Sequence, residues 1–426
     1  MKIAYHTGEY PRATDTFIQR EVAGLRALGA EVVTCSVRRT DARHHVGPEQ
    51  REEAARTFHV LEAAKNPMRL LAAHATLLAR RPGAYARALG LAARTKQPGI
   101  AGTAKQLAYV AEAGVLADHL MREGVRHLHN HFANSSCTVA MLAAEMAGVP
   151  YSVTMHGPAI FFEPGLWRVD EKVARARFVA CISHYCRSQA MIFADPAHWS
   201  KLRLVHCGVD PAMYARDERP RARTELLFVG RLAAVKGLPV LIEAASRLMA
   251  DRPDLRLTLI GDGPDRAALE ARVAGAGLAD RIVFAGYQGA AEVADALSRT
   301  DVFVLPSFAE GVPVVLMEAL ASEVPVVATR IAGIGELVED GISGLVVPPG
   351  DADALAEAIA RLADDAALRT RMGRAGRAKV EAEYATKGEA AWLLALIEGY
   401  AVGAPPEGLR PGHQGSGSEP RALAAE

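Results

Sequence analysis

The stretch from Phe303 to Glu318, FVLPSFAEGVPVVLME, limits the possible folds more than any other part of this chain. Phe303-Val304-Leu305 is apolar without alternation, as in a strand covered on both faces. The next residues, Pro306 to Val312, read as a tight loop that carries a carboxylate, Glu310. A helix then opens at Pro313, whose missing N–H suits a first helical position. The start of that helix aims unpaired N–H groups and a partial positive charge at the loop, which suits a phosphate. Glu318 lies one to two turns in, among apolar neighbours. A buried carboxylate there needs a donor, and a pair of ligand hydroxyls would serve. Two glutamates around an anion site point to a ligand with both sugar and phosphate.

The same strand–loop–helix pattern recurs along the chain. Ile3–Tyr5, Glu31–Ser36, His127–His129, Pro150–Met155, Val179–Ser183 and Leu202–Val205 read as strands of a first half. Leu226–Gly230, Arg256–Ile260, Ile282–Phe284, Val302–Leu305, Val324–Ala328 and Gly344–Val347 read as strands of a second. Helical periodicity fills the intervals, as over Thr16–Leu28, which ends at Gly29, and Ser135–Ala147. Strands alternating with helices imply mostly parallel sheets covered on both faces, an α/β fold of two Rossmann-like doubly wound domains. The domains are expected over 1–212 and 213–387, with the charged, Pro-containing Asp217–Arg223 as linker. A last amphipathic helix, Trp392–Tyr400 within about 388–402, is expected to follow, then a disordered Pro/Gly/Ser-rich tail over 403–426. Ligands of such sheets bind beyond the carboxyl ends of strands, so a cleft between the halves is the expected site.

With 426 residues there is chain for two cores. A formal net charge of zero speaks against a general nucleic-acid binder. Basic residues are in excess in the first half and acidic residues in the second. Between Glu62 and Glu112 there is no acidic side chain, while Lys65, Arg69, Arg80, Arg81, Arg87, Arg94, Lys96 and Lys105 sit on an Ala/Leu-rich helical pattern. That segment is either a solvated helical face or a patch for an anionic membrane or a phosphorylated acceptor. Five cysteines without metal-finger spacing fit free thiols in a reducing compartment. No signal peptide is visible, and no uncharged apolar run approaches the roughly 18 residues a span needs. A cytoplasmic protein is expected, with any membrane contact peripheral.

Several strand-end loops carry chemistry. Arg231 and Lys236 follow the strand ending at Gly230, and two cations in one loop suit a diphosphate, although plain surface cations would look the same. Gly261 and Gly263, in Ile260-Gly261-Asp262-Gly263-Pro264, allow close backbone approach, as would an ordinary tight turn. Tyr287, in Gly286-Tyr287-Gln288, could offer backbone groups to a nucleobase. His156, at a strand end facing the expected cleft, is either structural or a site residue. His127, His129 and His131 share a strand face, but no nearby carboxylate or cysteine completes a metal site in sequence. Asp351 and Asp353 fit capping and first-turn charge better than metal binding. The first βα turn, His6-Thr7-Gly8-Glu9-Tyr10, is no dinucleotide loop, and neither a Walker A loop nor a Gly-x-Ser-x-Gly elbow occurs.

Taken together, Gly230-Arg231 with Lys236-Gly237, Gly261-Asp262-Gly263, Pro306-Ser307 and the Glu310-x7-Glu318 spacing resemble the family 4 retaining glycosyltransferases of GT-B architecture. His156-Gly157 matches that family's His-Gly. Glu9 to Ile18, with His129-Asn130-His131-Phe132, is similar to members that build bacterial exopolysaccharides, including the colanic-acid type. The resemblance implies a metal-independent hexosyltransferase with no cofactor. Its donor would be a nucleoside diphosphate sugar, UDP favoured over GDP, and its acceptor a glycan or lipid-linked saccharide. Arg231 and Lys236 would hold the diphosphate, and Glu318 the ribose. Glu310 would meet the donor sugar, and backbone amides at Gly311, Val312 and Val314 the sugar and distal phosphate. His156 would lie near the anomeric carbon. The linker would be a hinge, and the last helix would cross back to the first domain. A sugar-nucleotide epimerase or hydrolase of the same architecture, or a non-catalytic binding subunit, are the alternatives. Two departures from the family stand out: the first loop lacks a Gly-Gly pair, and Ala332-Gly333-Ile334-Gly335-Glu336 replaces Gly-Gly-x-x-Glu.

Overall fold

In the computed structural model, which describes residues 1–45, 47–217 and 223–411, the apolar runs form two parallel sheets. The first contains β1 (Lys2–Glu9), β2 (Glu31–Arg38), β3 (Phe58–His59), β4 (His127–His131), β5 (Tyr151–Met155), β6 (Val179–Cys181) and β7 (Leu202–Leu204), in the order β3-β2-β1-β4-β5-β6-β7. The second contains β8 (Thr224–Val229), β9 (Leu255–Ile260), β10 (Ile282–Gly286), β11 (Val302–Leu305), β12 (Val326–Thr329) and β13 (Gly344–Val347), in the order β10-β9-β8-β11-β12-β13. Every pairing within the two sheets is parallel. Strand order reverses at β1/β4 and at β8/β11, so each sheet has its crevice at that switch point. The loops leaving β8 and β11 there are the ones that carry Arg231, Lys236 and Glu310.

All the strands expected from sequence are present. The one not foreseen, β3, has only two residues and follows a helix with no buried residue, so no apolar run announces it. Pro313 sits one residue earlier than expected: with ψ 122° it is the cap of the helix Val314–Ala321, not its first residue. Asp351 caps as expected, its side chain accepting from the Ala354 N–H. All five cysteines are buried and free. The linker read at Asp217–Arg223 lies mostly outside the described residues.

The last helix, Thr386–Ala401, crosses back to the first domain and begins earlier than its periodicity suggested. It lays Ala390, Leu393, Leu396 and Ile397 against Ile18, Val22 and Leu25 of α1 (Thr16–Ala27). Burying each of the three large aliphatic side chains contributes about 1.5–3 kcal/mol. Trp392 donates from Nε1 to the Leu204 carbonyl at 2.9 Å. Glu389 accepts from the His206 N–H and pairs with Arg410 at 2.5 Å, and burial pushes its carboxyl up to about 7. That pairing corrects one expectation. The first part of the tail, through Arg410, is held, with Leu409 accepting from the Leu204 N–H and Gly408 from Arg203. Residues 412–426 lie outside the described chain. The outgoing and returning passes between the sheets run side by side: Val209 N–H donates to Tyr384 O at 2.9 Å, and Thr386 N–H to Val209 O at 2.8 Å.

The crossing of α1 and the last helix is close. A Cβ on Gly24 would stand 2.8 Å from that of Ala390. Gly24→Val is therefore expected to cost about 1–3 kcal/mol through overpacking, read as a lower melting temperature. A melting curve superimposable on wild type would show that this contact does not hold the last helix in place.

Candidate active site

A cavity of about 850 Å³ opens between the two sheets at their switch points. From the second domain Arg231, Lys236, Gly261, Tyr287, Glu310, Gly311, Val312, Val314 and Glu318 line it, and from the first His156 does. All but one of the candidate donor-site residues thus meet in one place. The exception is Gly263, which is not part of the lining and packs instead on the loop after β8, where a Cβ would fall 2.2 Å from the Leu232 carbonyl.

The backbone sets this geometry. Gly261 adopts φ +135°, and a Cβ there would lie 1.9 Å from Gly230 O, so the loops after β8 and β9 pack main chain to main chain. Gly311 meets the first domain equally closely, its would-be Cβ 2.3 Å from the His156 carbonyl. That carbonyl therefore faces the Glu310 loop across the cleft.

The carboxylates are not left bare. Lys236 Nζ donates to Glu310 Oε1 at 2.5 Å, and the pair is mostly buried. Arg20 Nη2, from α1, donates to Glu318 Oε1 at 2.8 Å and also contacts Tyr214 Oη at 3.1 Å. Arg231 is exposed in the cleft, and no ion pair or hydrogen bond of its side chain is recorded among the described residues. Of the two cations expected to face a diphosphate, one is already engaged by an acid and the other is open.

His156 is tied into the floor of the cleft by a buried chain of polar groups. Tyr5 Oη donates to Glu21 Oε1 at 2.5 Å, and His131 Nε2 stands 2.9 Å from the same oxygen. His131 Nδ1 and His156 Nε2 are 3.0 Å apart, and His156 Nδ1 faces Cys207 Sγ at 3.5 Å. Burial raises the Glu21 carboxyl; in its ionised form it accepts only, and so accepts the hydrogen bond from His131 Nε2–H. His131 Nδ1 then accepts from His156 Nε2–H, leaving His156 Nδ1 for the thiol. Burial holds the His131 ring down to about 3 and lowers His129 and His156 as well, so all three are neutral near pH 7.

This network corrects one sequence expectation. A carboxylate does reach the histidine strand: ligand atoms of Glu21, His129 and His131 lie within 4.8 Å of one another, close enough to hold an ion. Each is already bonded, His131 to Glu21 and His129 to Thr154 and Ser152. Sequence reasoning also missed Arg20, Tyr214 and the role of Glu336. Glu336 accepts from the His184 and Tyr185 N–H groups at 2.7 Å, covering a helix start of the first domain from the second. A signal for Glu21 was present. It lies three residues after Ile18 and four before Leu25, on the apolar face of α1, where an acid has to find a partner.

The model of the family described as glycosyl transferases group 1 matches residues 215–379. The chain is 31% identical to an alpha-D-kanosaminyltransferase of Streptomyces kanamyceticus over 58% of its own length and 69% of that protein. It is 28% identical to WcaL of Salmonella typhimurium, named as a colanic acid biosynthesis glycosyltransferase, over 85% and 90% of the two chains. Among solved structures, Anabaena HepE in complex with UDP-glucose superposes with a TM-score of 0.71 at 17% identity, covering 92% of this chain and 99% of that one. That likeness, with the two parallel-sheet domains, is the GT-B fold. The chain belongs to the group 1 glycosyltransferases.

Proposed function

We propose that this enzyme is a retaining, metal-independent hexosyltransferase. It moves a hexose from a nucleoside diphosphate sugar, a UDP-sugar in preference to a GDP-sugar, to a hydroxyl of a growing lipid-linked glycan of the exopolysaccharide type. The observation that carries this is the convergence of Arg231, Lys236, Glu310 and Glu318 on one cavity at the switch points of both sheets. The named activities of WcaL and HepE's bound UDP-glucose support it as properties of those proteins.

In this mechanism Arg231 and Lys236 bind the diphosphate, and Glu318 accepts from the ribose hydroxyls. Glu310 contacts the sugar, with the amides of Gly311, Val312 and Val314 beside the distal phosphate. Gly261 and Tyr287 flank the nucleobase. The bond from the anomeric carbon to the β-phosphate oxygen breaks, and the acceptor oxygen bonds to that carbon on the same face. The acceptor proton goes to the departing phosphate. Catalysis then rests on positioning and on cations already in place where charge develops. The diphosphate competes with Glu310 for Lys236, so donor binding frees Glu310 to face the sugar. The His156 carbonyl, across from Gly311, closes the sugar site from the first domain.

The enzyme acts at the cytoplasmic face of an anionic membrane. Helices Pro67–Arg80, Pro82–Thr95 and Gly99–Arg122 expose Met68, Leu71, Leu78, Leu89, Ile100 and Leu107 among the cations from Lys65 to Lys105. Apolar side chains interleaved with Lys and Arg suit a headgroup layer. Among the described residues no helix is long and apolar enough to cross a membrane.

Four outcomes are expected. Arg231→Ala and Lys236→Ala should each lower turnover about 10²–10³-fold with little change in melting temperature, and wild-type turnover in either variant would remove the phosphate assignment. UDP should raise the melting temperature more than GDP does at equal concentration, UDP itself stabilising the fold by about 2.7 kcal/mol at a hundredfold excess over its Kd. Glu318→Gln should weaken that shift, and a shift unaltered from wild type would count against its ribose role. The protein should sediment with phosphatidylserine vesicles at low salt and be released at high salt, less so with Leu71→Glu and Leu107→Glu in place. No sedimentation at low salt would end the membrane proposal.

A further inference from the structure

Arg20 belongs to the first domain and Glu318 to the second, yet they form an ion pair at the wall of the cleft. Both side chains are largely buried, at 14% and 13% exposure. Only one terminal nitrogen of Arg20 is engaged, Nη2, shared between Glu318 and Tyr214. The other, Nη1, is buried and has no partner among the described residues. A guanidinium carries donors in a rigid fork and cannot lose its proton. A buried donor left unpaired is costly, and Arg20 lines the cleft beside Glu318, so a ligand group that settles on Glu318 and draws the guanidinium toward it would relieve that cost.

The chemistry of the pair narrows what that is. Glu318 accepts only, and Arg20 donates only. A hydroxyl does both, giving its hydrogen to a carboxylate and taking an N–H on its lone pair. With Nη2 at 2.8 Å from Oε1, an oxygen seated on the Glu318 carboxylate sits alongside the guanidinium. We propose that Arg20 is a donor-binding residue lent by the first domain: with Glu318 it forms an acceptor–donor pair that reads the ribose hydroxyls of the nucleoside diphosphate sugar. This rests on the donor reading given above. It adds a requirement that the second domain cannot meet alone, because the ribose site is complete only when α1 stands against the helix Val314–Ala321. The guanidinium also offsets the Glu318 charge in a cleft that must accept a diphosphate.

The test is calorimetric binding of UDP, 2′-deoxy-UDP and 3′-deoxy-UDP to wild type, Arg20→Ala and Arg20→Lys. Melting temperatures without ligand establish that each variant is folded, and Arg20→Lys, which keeps the charge without the fork, stands in if the alanine variant does not fold. Wild type should prefer UDP to at least one deoxy analogue by about tenfold, the scale of one hydrogen bond to a charged group. Arg20→Ala should bind UDP about tenfold more weakly and lose most of that preference, and Arg20→Lys should lose it in part. Three results would overturn the assignment: UDP affinity and preference unchanged in both variants, equal weakening for all three nucleotides (a plain interdomain latch), or no ribose preference in wild type. If wild type binds no nucleoside diphosphate at all, it is the donor reading that falls, and the role of Arg20 falls with it.

Discussion

Glu310 and Glu318 face a cleft suited to an anion, and each is held by a cation from a different element. Lys236, from the loop after β8, takes Glu310, and Arg20, from the first helix of the other domain, takes Glu318. A bare carboxylate in a partly desolvated site repels an anionic ligand. Without these partners the two acids would weaken the site they line. The pairing also keeps the carboxylates oriented, so that a ligand exchanges partners instead of ordering loose side chains.

Helix α1 links three features of the molecule. Its Ile18, Val22 and Leu25 receive the last helix, Arg20 reaches across to the second domain, and Glu21 anchors the chain of groups that ends at His156. All three depend on one helix, so a shift of α1 would disturb the docking of the C-terminal helix, the Glu318 pair and the floor of the cleft together. With Glu21 ionised, and so able only to accept, the histidine chain has a single polarity. It therefore fixes the tautomer and orientation of His156 from beneath.

The parts of this structure visible in the amino-acid order are those written in continuous apolar runs and in loops with special backbone needs. Phe303–Leu305 announces a doubly covered strand, and the spacing from Glu310 to Glu318 places both acids on one loop and the helix after it. Gly261 marks a close backbone approach that the structure confirms. Long-range pairing of polar side chains was not visible. Nothing local says that Arg20 meets a residue 298 positions away, or that Glu21 meets His131. Phe58–His59 was hidden because a two-residue edge strand needs little apolar surface. The first tail residues were misjudged because composition suggested disorder, whereas Arg410 is held by the buried Glu389.

The chain passes between the domains twice, and the two passes are stitched together at Val209 and Tyr384–Thr386. At that point the two passes are fixed in register, so that sliding one past the other would break both main-chain hydrogen bonds at once.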